Sequence, residues 1–502
     1  MIDEVLRMSN VTYKKNGMTY LQNFELSVES GQIMGLLVID GFGEDELVST
    51  LMYNDSLYNG CVYYCGKNVN SWRQFPRKRN RITLIGERSS LIREQNALTN
   101  IFVLRPGMHK EVLDYHVMEQ AFYPIMKEAG LAIDPCEPVA ELSAYEQTVL
   151  ELLKGIIEND RLIIAQNVDS VLSDEDLDRF GRLMQHFSKK GTSFIYISAH
   201  LETLMGICSQ IGIMKQGSVV SILGEENALK QSSLFYSAEF TGSVRRRALT
   251  YRLDQNAPEA FRMQHIHLGK IRDFTFSVKR GECLCLQFLD TNVYNRIESS
   301  LLNGEGTIRA GTLEGAEGYV DGKRVYRMTN RDIAVLSKHP EEDNLFYDLS
   351  FFDNIGITMD YRYPSVWRSR KAQKSIRQEL ENILGVDLWD KDIALMSRKE
   401  KYYVLFSRLI LQKPKIVVEF TPFLMDDVND RYEIFKINEE LLGKGISVIF
   451  VSLGLADSLA LADRLIRVGT DGNWEEYGRE DFGKLSEHIP WISLYQSDRG
   501  RK

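Results

Sequence analysis

The chain has 502 residues, of which 44% are hydrophobic and 26% charged, and its formal net charge is −9 at pH 7. This length suffices for two or more domains with sizeable cores, and the acidic balance argues against nucleic acid as a partner. No apolar run reaches the roughly 18 residues that are needed to cross a membrane. The N-terminus lacks the basic and apolar regions of a signal peptide.

The first elements in the chain predict a hairpin, then a strand, a glycine turn and a helix. Residues 1–28 are strand-like on both sides of Asn16-Gly17, a dipeptide typical of tight hairpin turns. The apolar run 33–39 is short and ends at a glycine turn, which indicates a buried strand that leads into a helix. Strand, glycine turn and helix are the layout of a phosphate-binding loop.

The residues that bind phosphate in such a loop are replaced here by acids. A loop of the form G-x-x-x-x-G-K-[ST] surrounds a triphosphate with backbone N–H groups, while its lysine and hydroxyl bind the phosphates and Mg²⁺. The segment keeps two glycines and carries three carboxylates where the lysine and the hydroxyls belong, and carboxylates repel a polyphosphate. Val38 stands at the first glycine of the motif and Gly43 at the last, and Gly41 is the other glycine of the turn. Glu44 stands at the lysine, and Asp45 and Glu46 at the hydroxyl positions.

Strands and helices alternate along the rest of the first half, which predicts an α/β domain with parallel core strands. Ser143 is a plausible helix N-cap, and Glu146 completes a capping box. The pattern predicts buried strands at 81–86, 162–165 and 193–198 and helices at 112–129 and 174–188.

The same order of elements recurs after about 250 residues, which indicates a duplicated domain rather than a solenoid. The repeated strands are predicted at 274–277, 281–287, 320–323, 333–336, 415–418 and 448–452. We expect a first domain at 1–243, a linker at 244–254 and a second domain at 255–502, with helical inserts at 103–142 and 356–397. The basic run 245–247 is predicted to be solvated, with a lipid or partner contact as the alternative.

With these elements placed, nearly the whole chain resembles the tandem ATP-binding subunit of the ribose/xylose/galactose class of bacterial ABC sugar importers. The segments that carry the resemblance recur at matching spacing in both halves. They are 95–102, 131–135 before Leu142-Ser143, 320–323, 345–350 before 353–355, and 461–466. The resemblance implies an α/β fold of two tandem ABC-type nucleotide-binding domains, each with a P-loop NTPase-like core sheet and a helical subdomain.

In the first half, the resemblance places amides at the two carboxylate positions of the family's Walker B strand. Gln166 stands at the Mg²⁺ ligand and Asn167 at the catalytic base. Neutral amides bind Mg²⁺ poorly and accept no proton. Ser143 remains in the signature motif, whose glycines are lost, and Tyr145 is expected to crowd the space of the γ-phosphate.

Two further catalytic positions of the first half also differ from the family. Glu87 takes the place of the Q-loop glutamine. Ala199 stands at the switch histidine, and His200 is one residue away, with a surface helix-cap histidine as the alternative interpretation.

The second half departs further from the family motifs. The segment 287–295 occupies the Walker A position without a glycine, so a tight phosphate cradle is not expected there. Ser397 is all that remains of the signature, and Phe420 and Thr421 replace the magnesium ligand and the base. Glu419 is one residue early and is expected to face the other side of the sheet.

Both sites thus lack the lysine, the magnesium carboxylate, the base and the signature glycines, each of which stabilises the transition state of hydrolysis. The leading hypothesis is a pseudo-ATPase, with no cofactor predicted, that acts as a regulatory or structural partner of an importer-like permease. One alternative is a divergent but active ATPase that uses ATP and Mg²⁺ to energise carbohydrate import. Another is a soluble scaffold for a signalling partner.

The expected partner is a membrane permease or a related membrane or signalling protein. A homodimer of this chain is the alternative. The candidate docking residues are Leu91, Leu98, Leu345 and Leu349, for which an ordinary core position is the alternative. We expect a cytoplasmic protein, peripheral on the inner face of the membrane, with six reduced cysteines and no metal site.

Overall fold

The chain forms two compact units, Met1–Ala238 with Asp426–Val428, and Glu239–Met425 with Asn429–Lys502. The structure, a computed structural model, describes residues 4–70, 79–102, 115–224, 243–244, 247, 253–254, 256–303, 309–311, 319–320, 333–357, 359, 368–423, 428–455 and 457–485. Within those residues, no helix is long and apolar enough to cross a bilayer.

The first unit contains a four-stranded antiparallel sheet and a six-stranded core sheet. Its strands are β1 Glu4–Lys15, β2 Met18–Glu29, β3 Ile33–Val38, β4 Asn59–Tyr64, β5 Lys67–Asn68, β6 Ile82–Ile85, β7 Leu162–Gln166, β8 Ser193–Ser198, β9 Gln210–Lys215 and β10 Ser218–Gly224. Its helices are α1 Glu44–Tyr53, α2 Ala97–Phe102, α3 Tyr115–Glu128, α4 Ala144–Ile157, α5 Asp174–Ser188 and α6 Leu201–Leu204, with short 3₁₀ helices at Val139–Glu141 and Val168–Ser170.

The predicted hairpin and core strands of the first unit are confirmed. β1 and β2 pair antiparallel around Asn16 and Gly17, whose φ angles of 52° and 80° suit a tight hairpin turn. The core sheet has the order β10-β9-β3-β8-β7-β6, with parallel pairs from β9 through β6 and an antiparallel edge strand. This order places the start of α1 at the carboxyl end of a central strand, where α/β folds bind ligands.

The second unit repeats this architecture with core order β16-β17-β18-β13-β19-β20. Its strands are β11 Glu259–Leu268, β12 Ile271–Lys279, β13 Cys283–Phe288, β14 Arg309–Gly311, β15 Tyr319–Val320, β16 Ile333–Leu336, β17 Ile416–Phe420, β18 Ser447–Ser452, β19 Arg464–Val468 and β20 Trp474–Gly478. Its helices are α7 Thr291–Asn303, α8 Pro340–Asp343, α9 Phe351–Gly356, α10 Arg370–Leu384, α11 Arg398–Gln412, α12 Val428–Gly443 and α13 Ser458–Leu461, with 3₁₀ helices at Ile393–Leu395 and Arg479–Lys484.

A buried asparagine shows how closely the two units repeat. Asn100 accepts a hydrogen bond from the backbone N–H of Ile92 at 2.8 Å and donates one to its carbonyl at 3.0 Å. Asn354 makes the same two bonds with the backbone of Phe346, at 3.0 and 2.8 Å. Since a buried polar group without partners is costly, each asparagine fixes the loop before its helix. The α/β fold of two similar halves predicted from the repeat is therefore present.

The predicted linker is not simply a solvated segment. Arg247 is only 3% exposed, and its guanidinium donates to the carbonyl of Leu461 at 3.1 Å and lies 3.4 Å from Asp463. Arg479 also approaches Asp463, at 3.7 Å. A buried guanidinium needs a carboxylate partner, so Arg247 packs as part of the second unit. Residues 245 and 246 lie outside the described part of the chain.

Candidate functional site: two occupied nucleotide positions

The loop between β3 and α1 is held in place by contacts within the first unit. Asp40 accepts hydrogen bonds from the backbone N–H groups of Phe42 at 3.2 Å and Gln216 at 2.8 Å. Gly41 and Gly43 have φ angles of 60° and 81°. A Cβ on Gly43 would lie 2.3 Å from the carbonyl oxygen of Tyr20, so packing against β2 already requires this glycine.

Glu44 occupies the position of the missing lysine and bonds directly to both amides of the Walker B position. Its side chain is 4% exposed, and its Oε1 accepts hydrogen bonds from Gln166 Nε2 at 2.8 Å and Asn167 Nδ2 at 3.0 Å. Asp45 accepts a second bond from Gln166 at 3.2 Å. The groups that would face the terminal phosphates and the metal in an active site are therefore bonded to one another.

The residues at the Walker B position of the first unit are amides rather than carboxylates. Within the described residues, no group of three or more histidine, cysteine, aspartate or glutamate side chains could hold a metal ion. Mg²⁺ in nucleotide sites is bound through carboxylates together with the phosphates, whose charge the protein must balance with cations. Gln166 and Asn167 supply neutral amides instead, and these amides donate to the side chains of Glu44 and Asp45.

The equivalent loop of the second unit has become the first turn of a helix. α7 already begins at Thr291, and Asp290 accepts hydrogen bonds at that end. Its carboxylate bonds to the N–H of Asn292 at 2.9 Å, and its carbonyl to the N–H of Tyr294 at 3.0 Å. A helix N-terminus capped by its own aspartate has fewer N–H groups left for an anion.

Tyr294 fills the second site from the position that corresponds to Glu44. Its hydroxyl hydrogen-bonds to Thr421 Oγ1 at 2.7 Å, and its ring meets Phe420 edge-on at a centroid distance of 5.7 Å. Tyr294 and Phe420 are 2% and 1% exposed, and burial raises the pKa of the tyrosine. The position of the metal ligand is thus part of a hydrophobic core.

Tyr294 was not among the predicted site residues. The available signal was its place in the glycine-free segment, at the same distance from the strand as Glu44. Glu419 faces the other side of the sheet from Phe420, as expected. It accepts a hydrogen bond from Asn438 of α12, whereas the neighbouring Phe420 packs on α7. Alternate side chains of β17 therefore face opposite sides of the sheet.

The two signature serines cap helices. Ser143 and Glu146 form the predicted capping box, with the backbone N–H of Ser143 donating to the Glu146 carboxylate at 2.8 Å. Ser397 forms the same box with Glu400 at the start of α11. Tyr145 is 6% exposed, and its ring lies under the guanidinium of Arg179 at 4.0 Å.

The Q-loop and switch positions also make structural contacts. Glu87 is exposed, and Ser89 two residues later donates a hydrogen bond to buried Glu151 of α4 at 3.0 Å. Burial raises the pKa of Glu151. His200 is the N-cap residue of α6, as its alternative interpretation expected, but it is only 7% exposed rather than on the surface.

Three of the four predicted docking leucines are buried, and one is exposed. Leu91, Leu98 and Leu345 are 5%, 1% and 6% exposed, so they belong to the cores of their units. Leu349 is 40% exposed and stands beside Phe346, which is 52% exposed. Only Leu349 of the four predicted leucines can therefore contact a partner without rearrangement.

Comparisons with known proteins find relatives of nearly full length, although no protein-family model matches the chain. The chain is 24% identical over 487 residues to the xylose import ATP-binding protein XylG of Shigella flexneri serotype 5b, and the match covers 92% of each chain. It is 24% identical over 482 residues to the galactose/methyl galactoside import ATP-binding protein MglA of Haemophilus influenzae, again with 92% of each covered. A solved ATP-binding cassette of an ABC transporter, MJ1267 in its ADP conformation, aligns with 45% of this chain and 94% of its own at 18% identity and a TM-score of 0.41.

Proposed function

We propose that this chain, a relative of sugar-import ATP-binding proteins along almost its whole length, works without hydrolysing ATP. Its role is that of a regulatory or structural subunit on a permease of the sugar-importer kind, at the inner face of the membrane. The proposal rests on the occupied positions in both units.

The observation that carries the proposal is the contact between the lysine position and the base position. In the first unit Glu44 binds Asn167, and in the second unit Tyr294 binds Thr421. An active site keeps these positions apart so that the terminal phosphate and the attacking water can lie between them. A nucleotide entering the first site would have to break two hydrogen bonds and approach a carboxylate.

We expect the purified chain to show no magnesium-dependent ATP turnover and no thermal stabilisation by Mg-ATP. A protein that binds ATP gains about 2.7 kcal/mol at a ligand concentration of 100 Kd, which a melting curve detects readily. An importer ATP-binding protein with intact motifs serves as the positive control. Turnover by the wild-type chain that is lost in Gln166→Ala would contradict the proposal.

The names of the relatives favour a second candidate, an ATP-binding protein that energises carbohydrate import. That function requires nucleotide contacts other than those of the usual motif positions. The same turnover measurement separates the two candidates, because only the second predicts hydrolysis that increases when permease and sugar-binding protein are present. A scaffold for a signalling partner instead predicts capture of a partner unrelated to membranes.

Docking on the permease is expected to depend on the exposed apolar residues of the loop before α9. The Leu349→Asp variant should fold, because its side chain is 40% exposed, and should lose co-sedimentation with membranes that contain the permease. Val220→Asp, at a position 59% exposed in the first unit, is the matched control and should still sediment. Equal sedimentation of both variants and the wild type would rule out this docking surface.

A further inference from the structure

A buried acid lies beside the occupied site of the second unit, on the opposite face of β17. The Glu419 side chain is 3% exposed, and the one hydrogen bond that it makes in the described chain comes from Asn438 Nδ2 at 3.2 Å. The corresponding residue of the first unit is Ala165, which is fully buried in the same kind of strand. The fold therefore does not require an acid at this position.

The hydrogen bonding around Glu419 lacks a donor. Among the described residues, its Oε1 has no partner, and neither has Asn438 Oδ1. Both atoms are acceptors, and burying acceptors without a donor is unfavourable. A proton on the carboxyl group would supply a donor at this place, whereas a carboxylate would leave a buried negative charge as well as the unpaired oxygens.

No described cation balances a negative charge on Glu419. The surrounding elements contribute Asn438 and Asp430 from α12 and Tyr402 from α11. Arg398 at the start of α11 pairs with Glu341 at 2.7 Å, so its charge is already used there. Tyr402 is itself buried, which raises its pKa and keeps it neutral.

We propose that Glu419 is held as the neutral carboxylic acid, so that the second unit takes up a proton when it folds and becomes less stable as the pH rises from mildly acidic values to neutrality. In this way the layer formed by β17 and α12 responds to pH independently of any nucleotide. The device is separate from the proposed loss of ATP hydrolysis and would persist if that proposal failed.

The direction of the effect follows from the two protonation states. Burial raises the pKa of Glu419 from 4.5 to about 7, a shift that the hydrogen bond from Asn438 opposes. Below the lower value both the folded and the unfolded chain carry the proton, so the pH has no effect. Between the two values only the folded chain carries it, and stability falls as the pH rises. Above about pH 7 the loss is complete, and it corresponds to a roughly 300-fold difference in proton affinity.

The test compares wild type with Glu419→Gln, which is neutral at every pH and nearly the same shape. Unfolding of the second unit is monitored by hydrogen exchange of peptides from β17 and α12. Wild type and Glu419→Gln should be similarly stable at about pH 5, and Glu419→Gln should be the more stable at about pH 8. The infrared carboxylic-acid band of the wild type should weaken in the variant. Glu440→Gln on the exposed side of α12 is the matched control and should follow the wild type.

A stability difference between Glu419→Gln and wild type that is the same at every pH would overturn the proposal. So would a wild-type infrared spectrum at low pH from which no carboxylic-acid band is lost in the variant. If Glu419→Gln does not fold, Glu419→Leu provides a second neutral side chain, and the same pH comparison applies to it.

Discussion

Replacing Arg431 with methionine is expected to lower the free energy of unfolding of the second unit by about 3–5 kcal/mol. Arg431 and Asp457 are 1% and 0% exposed, and the guanidinium lies 3.3 Å from the carboxylate. The pair joins α12 to the start of α13. Methionine keeps most of the side-chain volume but leaves Asp457 as a buried carboxylate without this guanidinium, and that loss of charge balance dominates the cost.

The measurement is urea unfolding, with hydrogen exchange of α12 to locate the transition in the second unit. Arg377→Met is the matched control, since Arg377 is 37% exposed where it pairs with Asp387 and Asp390. Exposed pairs contribute about 0–1 kcal/mol. A second comparison removes both charges, in Arg431→Met with Asp457→Leu, and should recover much of the stability. Equal costs for Arg431→Met and Arg377→Met would contradict the assignment.

The elements of the fold could be predicted because they depend on local periodicity. The alternation of strands and helices predicts a helix at 174–188, where α5 lies, and the short β-branched runs predict the parallel strands. The duplication was visible for the same reason, since each element of the second unit repeats a pattern of the first. The capping boxes at Ser143 and Ser397 follow from a four-residue pattern.

The filling of the nucleotide positions could be predicted only in part. Motif comparison identified Glu44, Gln166 and Asn167 as replacements, but their mutual hydrogen bonds join residues far apart in sequence. The contact between Tyr294 and Thr421 was missed for the same reason.

The docking leucines show a different limit of the sequence. The sequence around an apolar loop residue does not show whether its side chain packs into the core or faces solvent. The pattern therefore could not distinguish buried Leu345 from exposed Leu349. Likewise, the burial of Arg247 against Asp463 depends on a partner distant in the chain.

The positions that correspond to the family's nucleotide site are filled by different kinds of side chain in the two units. The first keeps a glycine turn and satisfies polar groups with one another, so its site remains partly exposed and hydrophilic. The second extends the helix and fills the space with the rings of Tyr294 and Phe420. Polar groups near solvent can exchange partners at small cost, whereas close-packed rings cannot, so the second site should tolerate the family's motif residues less well than the first.

Restoring the family's aspartate at Phe420 is therefore expected to unfold the second unit, with a loss of about 5 kcal/mol or more. Removing the ring leaves a cavity worth about 3–5 kcal/mol, and the new carboxylate would be buried beside Tyr294 with additional cost. The matched control is Gln166→Asp, the same restoration in the first unit, where the side chain is partly exposed. Repulsion from Glu44 and Asp45 near solvent should cost only about 1–2 kcal/mol there.

Thermal unfolding of the two variants, with hydrogen exchange to assign each transition to its unit, gives the comparison. A folded Phe420→Asp variant as stable as Gln166→Asp would mean that the space around Tyr294 can admit a charged group and its water. The second site would then be a closed but intact pocket. Loss of folding in Phe420→Asp alone would instead show that the core of the second unit now depends on the ring that replaced the metal ligand.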